Sequence, residues 1–494
     1  MRDAIEFSRP TAVARALGDE NSQRFVEKRV LLRGDAATLL SSNGQEAVRA
    51  AFLLLIRICE NVAVALPAAC KELRADIAAL AADLIPNRPL QWIDSNDVFD
   101  GYDAILSIGA RGREDLPWTV INSDGWLARV SSRGGDLPAS TDQANPIGAV
   151  AAACLGVGEV FKRLIGLRAT RGELLDVTSF SLWAYTTSAE DTGPALNALV
   201  IDVLLIGCGA IGSSTAYLLS RLPVSGRAVT LDRQDYKPEN FGTSIIVGPR
   251  AYERAKARVT AGLLASKLDV VPLVMDIASF HERYDGGFPD MVLAGLDDVE
   301  PRHQVQRLWP GLVIDGAVGG ELSCQVSCHP WHSSNACLLC LFQKQEASSL
   351  VDMNARATGL PPELANNPDA IVTEAVIASA QADRQAWLRG HLGKRICSIT
   401  SEAVVEFLSA ETHREGFAPA APFVSSFSAC MIVAELVRYL TTGATLPEPR
   451  FQFNFLWGPR RGLHYAERRH DDCFCAERRE NISKLRVLRA NRQR

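Results

Sequence analysis

Apolar and polar positions along the chain fall into two successive rounds of strand-length and helix-length segments. The clearest opens at IDVLLIG (201–207), a short, nearly all-apolar run of the kind that forms a parallel strand buried on both faces. It leads into Gly207-Cys208-Gly209-Ala210-Ile211-Gly212, then the helical segment SSTAYLLSRL, then a second strand, AVTLD, ending at Asp232. That pattern predicts a βαβ unit with a glycine-rich first turn. The N-terminal half repeats the rhythm without the glycine triplet. RVLLRGDAATLLSSNGQEAVRAAFLLLIRI predicts a strand, a turn and a long helix. Strands DAILSIG (103–109) and WTVINSD (118–124) follow, then a helix rich in small residues at 145–166. A polar stretch at 186–200, with Gly193 and Pro194, joins the halves. Strand order and helix lengths run in parallel. The first half therefore reads as a degenerate copy of the second that has lost its nucleotide loop, over the alternative of an unrelated α/β domain.

Composition narrows the function classes. At 494 residues, 47% hydrophobic and 22% charged, the chain is neither disordered nor collagen-like nor a coiled-coil rod. A net charge of −5 gives no support for a nucleic-acid partner. The most apolar stretch, AFLLLIRICENVAVALP, carries Arg57, Glu60 and Asn61 in its middle, so it reads as a buried core helix and not a membrane span. The N-terminus has no apolar core with a cleavage site, and the expected location is the cytoplasm.

Twelve cysteines in a reducing compartment then sort by spacing. Cys59, Cys154, Cys208 and Cys430 sit singly in apolar runs, as small buried thiols do. Cys337-Leu-Leu-Cys340 and Cys473-Phe-Cys475 form two chelating pairs that can share one structural Zn²⁺ and staple the C-terminal tail to the domain. His329 and His332, beside the first pair, read as surface-loop residues, and the basic tail beyond Cys475 as a partner-binding helix or a solvated end.

A glycine triplet after a strand lets the backbone approach a phosphate chain, and the next helix offers free N–H groups. Asp232 follows Gly212 by 20 residues (232 − 212), where an acid can bind a ribose hydroxyl. To this point a dehydrogenase fits as well as an ATP-using enzyme. The next segment, LDRQDYKPENFGTSIIVGPRAYERAKARV, resembles the nucleotide segment of the ThiF/MoeB superfamily, which includes ubiquitin-activating enzymes. The family pattern has an acid after the second strand, then Ser-Asn-Leu-Asn-Arg-Gln, then a lysine after a Gly-containing turn. Asp232, Asn240 and Lys256 fall on matching positions, whereas Thr243 stands where the family has an arginine that meets the ATP phosphates. A neighbouring arginine, or one from the N-terminal half, is then needed in its place. MVLAGLDDVEPRHQVQRL (291–308) resembles the family's next element, and by that resemblance Asp297 holds Mg²⁺ near the α-phosphate. The superfamily also carries Cys-x-x-Cys at both cysteine positions, the second pair here being one residue shorter.

Cys397, in GKRICSITSEAVVEFL, lies at the mouth of a helix expected to begin near Ser398, with Lys394 and Arg395 adding positive potential that favours a thiolate. Ile-Cys-Ser-Ile-Thr resembles the string around the thioester cysteine of ubiquitin-activating enzymes. The resemblance spans about residues 200–475. It implies an α/β protein of two Rossmann-like adenylation-type halves, the N-terminal one degenerate and the C-terminal one active, with a small helical crossover insertion carrying the cysteine. The expected divisions are 1–190, 191–342, 343–400 and 401–494. The implied activity is adenylation of a small ubiquitin-like (β-grasp) protein with ATP and Mg²⁺, then a thioester on Cys397 for a ubiquitin-conjugating-type enzyme. The compact two-half layout resembles enzymes of bacterial ubiquitin-like conjugation operons linked to phage defence. Two alternatives stay open: a sulfur-carrier adenylyltransferase that stops at the adenylate, and a catalytically inactive scaffold.

Overall fold

The structure, a computed structural model, describes residues 5–18, 22–93, 99–141, 143–167, 171–188, 190–283, 287–319, 322–342, 350–367, 369–396, 398–400, 403, 421–446 and 448–492. The chain divides into two compact units, one of Met1–Leu341 with Pro419–Arg494 and one of Phe342–Ala418.

The larger unit contains two sheets. The first is built from β1 (Arg29–Gly34), β2 (Asn61–Ala65), β3 (Gln91–Trp92), β4 (Ala104–Ile108), β5 (Trp118–Asp124), β6 (Leu127–Ser131) and β7 (Thr178–Ser181), in the order β3-β2-β1-β4-β5-β6-β7. The second is built from β8 (Leu199–Ile206), β9 (Val224–Leu231), β10 (Asp269–Leu273), β11 (Met291–Gly295), β12 (Leu312–Gly319), β13 (Ser323–Pro330), β14 (Arg450–Asn454) and β15 (Leu463–Tyr465). Its order is β10-β9-β8-β11-β12-β13-β14-β15. Each sheet is parallel through its first five strands and antiparallel beyond them. Counted from its own first strand, each half therefore follows one order, 3-2-1-4-5-6-7, with an eighth strand added to the second. The fold is two Rossmann-like α/β halves.

Central strands are buried on both faces, as their unbroken apolar runs require: all five residues of β4 are buried, and so are Val203–Ile206 of β8. Among the helices are α1 (Ser8–Leu17), α2 (Ser42–Leu55), α3 (Lys71–Leu84), α4 (Pro146–Leu164), α5 (Ala210–Arg221), α6 (Lys256–Leu264), α7 (Val299–Arg307), α8 (Pro422–Thr442) and α9 (Arg479–Arg492). The small residues of α4 let it lie against α2, α8, β5 and β6, and Asn145 starts it by accepting from the Ile147 N–H at 2.9 Å. Among the described residues, α8 is the one helix long and apolar enough to cross a membrane, and 89% of its apolar window is buried inside the protein.

One expected element splits. AFLLLIRICENVAVALP is not a single core helix: α2 ends at Leu55 and β2 begins at Asn61. The reason lies in the side chains. Val62 and Val64 favour an extended chain, and the Arg57 guanidinium caps the helix by donating to the Leu53 carbonyl at 3.3 Å.

The halves are tied through polar groups as well as apolar ones. Glu46 of α2 accepts from Tyr217 Oη at 2.6 Å and from Arg221 Nε at 2.9 Å, both on α5.

In the smaller unit the segment 373–392 contains two short helices, Glu374–Ser379 and Gln385–Arg389. Ala380 is extended between them, and the Gln381 N–H is spent on the Gly359 carbonyl. Leu360, Val372, Ile377, Leu388, Ile396 and Ile399 make the core of this unit.

Candidate functional site

The loops after β8, β9 and β11 leave the same edge of neighbouring parallel strands, the edge where open α/β sheets bind ligands. Gly207 turns the chain with φ +81°, and a Cβ there would lie 2.6 Å from the Gly295 carbonyl oxygen. A Cβ on Gly212 would lie 1.9 Å from the Gly207 carbonyl oxygen, so only glycine closes this turn. Gly209 differs from both. It is the first residue of the α5 cap, no side chain caps the helix, and a Cβ there would meet no atom within 4 Å. Helix N–H groups therefore face open space at the point where a phosphate chain would lie.

Asp232 directly follows β9 and fastens this loop, accepting from the Cys208 N–H and the Gln234 N–H, both at 2.8 Å. Cys208 itself is buried, which pushes its thiol far up and keeps it inert. Lys256 opens α6, with Nζ donating to Gln234 Oε1 at 2.7 Å. Burial lowers its pKa, with Asp232 and Asp297 opposing and Arg9 adding to the fall. Asp297 is exposed in the loop after β11. Behind it Arg302 donates to the Leu296 carbonyl and pairs with Asp315 of β12 at 3.2 Å. Asn240 is nearby in sequence but its Oδ1 is committed, accepting from the Lys237 N–H at 2.9 Å in a short 3₁₀ turn.

Thr243 is buried, its hydroxyl donating to the Asn240 carbonyl at 3.4 Å. A cation from α1 stands in the neighbourhood instead. Arg9 is half-buried; burial lowers its pKa, and the carboxylates of Glu239 and Asp297 raise it. The N-terminal segment reaches this place through specific contacts. Phe7 sets its edge against Phe241 at 5.9 Å, Glu6 Oε1 accepts from Tyr252 Oη at 2.6 Å, and Gly242 leaves room for Glu6 and Pro10. No local pattern around Arg9 announces this, because its partners follow more than two hundred residues later.

A second cluster lies at the far side of the same sheet. The sulfurs of Cys337, Cys340, Cys473 and Cys475 all fall within 4.8 Å of one another. Individual Sγ–Sγ distances are 3.7 Å (337–340), 3.9 Å (337–473) and 3.6 Å (340–475). A tetrahedral ion with metal–sulfur bonds of about 2.3 Å needs edges of about 3.8 Å, so the four donors fit one metal. The His470 N–H points to Cys340 Sγ at 3.5 Å, which favours thiolate there. His329 is not a surface residue. It is buried in β13, with Nδ1 on the Ala336 carbonyl at 2.6 Å and Nε2 against Ser327 Oγ at 2.9 Å. Burial brings its pKa down to about 4 and leaves it neutral. The basic tail is α9, docked by Arg486, which grips Asp290 at 2.9 Å and the Trp309 carbonyl at 2.7 Å.

Cys397 lies outside the described residues. On either side of it Ile396 and Ser398–Thr400 are helical, and Lys394 and Arg395, ahead of Ile396, are exposed.

Comparisons with known proteins fall on these two halves separately. The ThiF family matches residues 195–475, and the BilD N-terminal domain matches residues 45–175. The uncharacterized protein y4jF of Sinorhizobium fredii (strain NBRC 101917 / NGR234) is 25% identical over 376 residues, 72% of each chain. The bacterial E1-like protein BilD of Collimonas sp. (strain OK412) is 25% identical over 225 residues, 44% of this chain and 48% of that protein. Among solved structures, E. coli MccB with ATP overlays at a TM-score of 0.36 with 11% identity, covering 56% of this chain and 67% of that one. The match that spans more than half of the chain covers the glycine loop, Asp232, Lys256, Asp297 and all four clustered cysteines, and by it the chain belongs to the ThiF family.

Proposed function

We propose that this protein activates the C-terminal carboxylate of a small ubiquitin-like protein, first as an acyl-adenylate and then as a thioester on Cys397, for hand-over to a conjugating-type enzyme. One observation carries the first step: the open N-terminus of α5 with Lys256, Asp232, Arg9 and Asp297 gathered at one edge of the second sheet. A carboxylate oxygen attacks the α-phosphorus of ATP, the bond to the pyrophosphate oxygen breaks, and AMP stays on the carboxyl group. This reaction asks for positioning and charge neutralisation more than for covalent help. The loop N–H groups bind phosphate oxygens, Asp232 orients the ribose, and Lys256 and Arg9 neutralise charge that grows on the departing pyrophosphate. Asp297 is the residue placed to hold Mg²⁺, which when bound adds further charge neutralisation at the phosphates. In the second step the Cys397 thiolate attacks the acyl carbon and AMP leaves.

The name of one of the two 25%-identical relatives, the bacterial E1-like protein of Collimonas sp., supports this substrate class. In this reading residues 1–190 form the nucleotide-free half, 191–342 and 401–494 the adenylating half, and 343–400 the segment that carries the nucleophile. The cysteine cluster holds Zn²⁺ as a structural ion, ligated by Cys337, Cys340, Cys473 and Cys475. Arg9 weighs against the inactive-scaffold reading, since it supplies a cation near the position where Thr243 supplies none.

The experiment is ATP–pyrophosphate exchange with a small β-grasp protein, followed by gel detection of a reductant-sensitive adduct. Cys397→Ala should keep exchange and form no adduct, and Cys397→Ser should trap a thiol-resistant oxyester. An adduct formed normally by Cys397→Ala would move the nucleophile elsewhere and favour the sulfur-carrier reading.

A further inference from the structure

Arg57 is a buried cation whose chemistry the proposed reaction leaves unused. It sits just beyond α2 in the nucleotide-free half and is completely buried. Among the described residues its hydrogen bonds go only to main-chain carbonyls. Besides Leu53 in its own helix these are Phe241 at 3.4 Å, Ile245 at 2.8 Å and Val247, all in the other half. A buried cation without a carboxylate bound to it is expensive, and an apolar residue of the same volume would pack there at lower cost. Burial pulls its pKa down to about 9, and the charge of Arg88 adds to the fall, with Tyr252 and Glu6 opposing.

The three carbonyls explain its presence. They belong to the segment between the 3₁₀ turns Pro238–Asn240 and Pro249–Ala251, which has neither helix nor strand to occupy its backbone groups. Buried carbonyls need donors, and a guanidinium offers five in a rigid fork where a helix or sheet would otherwise supply them. The same guanidinium lies 4.1 Å from the Phe241 ring centre, with Arg88 at 5.0 Å from that ring. Phe7 closes the stack edge-on. The pinned segment begins next to Asn240 and leads to Lys256. The pinned ring is the one against which α1, and so Arg9, is seated.

We propose that Arg57 is a positioning residue for ATP: from the nucleotide-free half it holds the 241–247 segment, and through it Lys256 and Arg9, in the geometry that binds the nucleotide. This deepens the adenylation reading and rests on it. The effect should appear in nucleotide affinity. Arg57→Met should raise the KM for ATP in pyrophosphate exchange by tenfold or more, and kcat should fall with it, because Lys256 and Arg9 also act on the departing pyrophosphate. Arg57→Lys keeps the charge on one compact donor group and should recover part of the loss. Amide hydrogen exchange should quicken in residues 241–252 and stay slow in β8.

A merely structural role would lower the active fraction, seen as reduced kcat at unchanged KM, and that result overturns the proposal. If Arg57→Met does not fold, Phe241→Leu keeps the carbonyls and removes the ring that the guanidinium lies on. It should raise KM for ATP several-fold, and an unchanged KM in it counts against the pin equally. Wild-type protein that neither binds ATP nor exchanges pyrophosphate would remove the adenylation reading and this proposal together. Normal wild-type exchange with Arg57 variants of unchanged KM would remove this proposal alone.

Discussion

The two sheets share one strand order, yet the loops that leave their first strands have opposite chemistry. After β8 the chain turns on Gly207 and enters a twelve-residue helix whose cap carries no side-chain acceptor. After β1 the corresponding place belongs to Asp35. Its carboxylate accepts from the Thr38 N–H at 2.8 Å and the Thr38 hydroxyl at 3.0 Å, capping a helix of only four residues, Ala36–Leu39. Gly109, just after β4, leaves room for it: a Cβ there would lie 2.1 Å from Asp35 Oδ2. The first half thus fills its own anion site with a carboxylate, and the second leaves it open. A carboxylate that caps its own turn occupies the helix N–H groups that an open turn would offer to an anion.

The largest effects should come from removing charge at the open edge. Lys256→Ala or Asp297→Ala should cut pyrophosphate exchange on the order of 10²-fold or more, and Arg9→Ala on the order of tenfold. Asp35→Ala, the matched change in the closed half, should cost about 1 kcal/mol of stability through its lost cap and leave exchange unchanged. Exchange at wild-type rate in Lys256→Ala would break the comparison, because the second half would then be no more a nucleotide site than the first.

The second half also carries the cysteine cluster. Freshly prepared protein should contain about one Zn²⁺ per chain by metal analysis. Cys337→Ser or Cys473→Ser should lose it and make α9 more open to proteolysis, since the Cys473–Cys475 pair packs beside Trp309 and Trp331 and adds to the Arg486 contacts that dock the tail. Protein isolated without metal, and with α9 still protected, would leave the four sulfurs as packed thiols.

Asp315, which pairs with Arg302 behind the Asp297 loop, supplies a pH dependence. Burial pushes its carboxyl up to about 6, with Arg302 pulling down. The native chain then holds this proton more tightly than the unfolded chain, where an aspartate titrates near ~4. The contribution of this group to stability therefore rises as pH falls from about 6 to ~4, by on the order of 2–3 kcal/mol in total. Asp315→Asn should remove that component from the melting temperature measured against pH, and an unaltered slope would assign it elsewhere.

The smallest effect on stability is the most telling about the open turn. Gly209→Val should leave the melting temperature within a few degrees of wild type, because no neighbouring atom lies within 4 Å of where its Cβ would go. ATP affinity should fall by about tenfold or more, about 1.4 kcal/mol or more. Gly212→Ala should do the reverse of the first half of this and destabilise the protein, since its Cβ would collide with the Gly207 carbonyl.

What was readable in the sequence was local. The β8–glycine loop–α5–β9 unit, Asp232 at its end and the two cysteine pairs are contiguous or short-range patterns. Burial on two faces, helix entry and chelate spacing each leave their mark within about ten residues. The same local signal identified β1, β4, β5 and α4, but not the break after Leu55, where a continuous apolar run hides the change from helix to strand. It also misplaced His329, because a histidine beside Pro and Trp looks like a loop residue until β13 pairs with β12 and β14 around it.

The rest was decided by tertiary structure. Arg9 and Arg57 act on residues some two hundred positions away, and nothing in RPTAVARAL or LIRIC marks them as parts of the second half's site. The place of Asp35 is likewise set by the fold, where Gly109, just after β4, makes room for its carboxylate. Periodicity and spacing are properties of neighbours along the chain. Which loop a buried guanidinium serves is settled only when two sheets pack and their unpaired carbonyls must find donors.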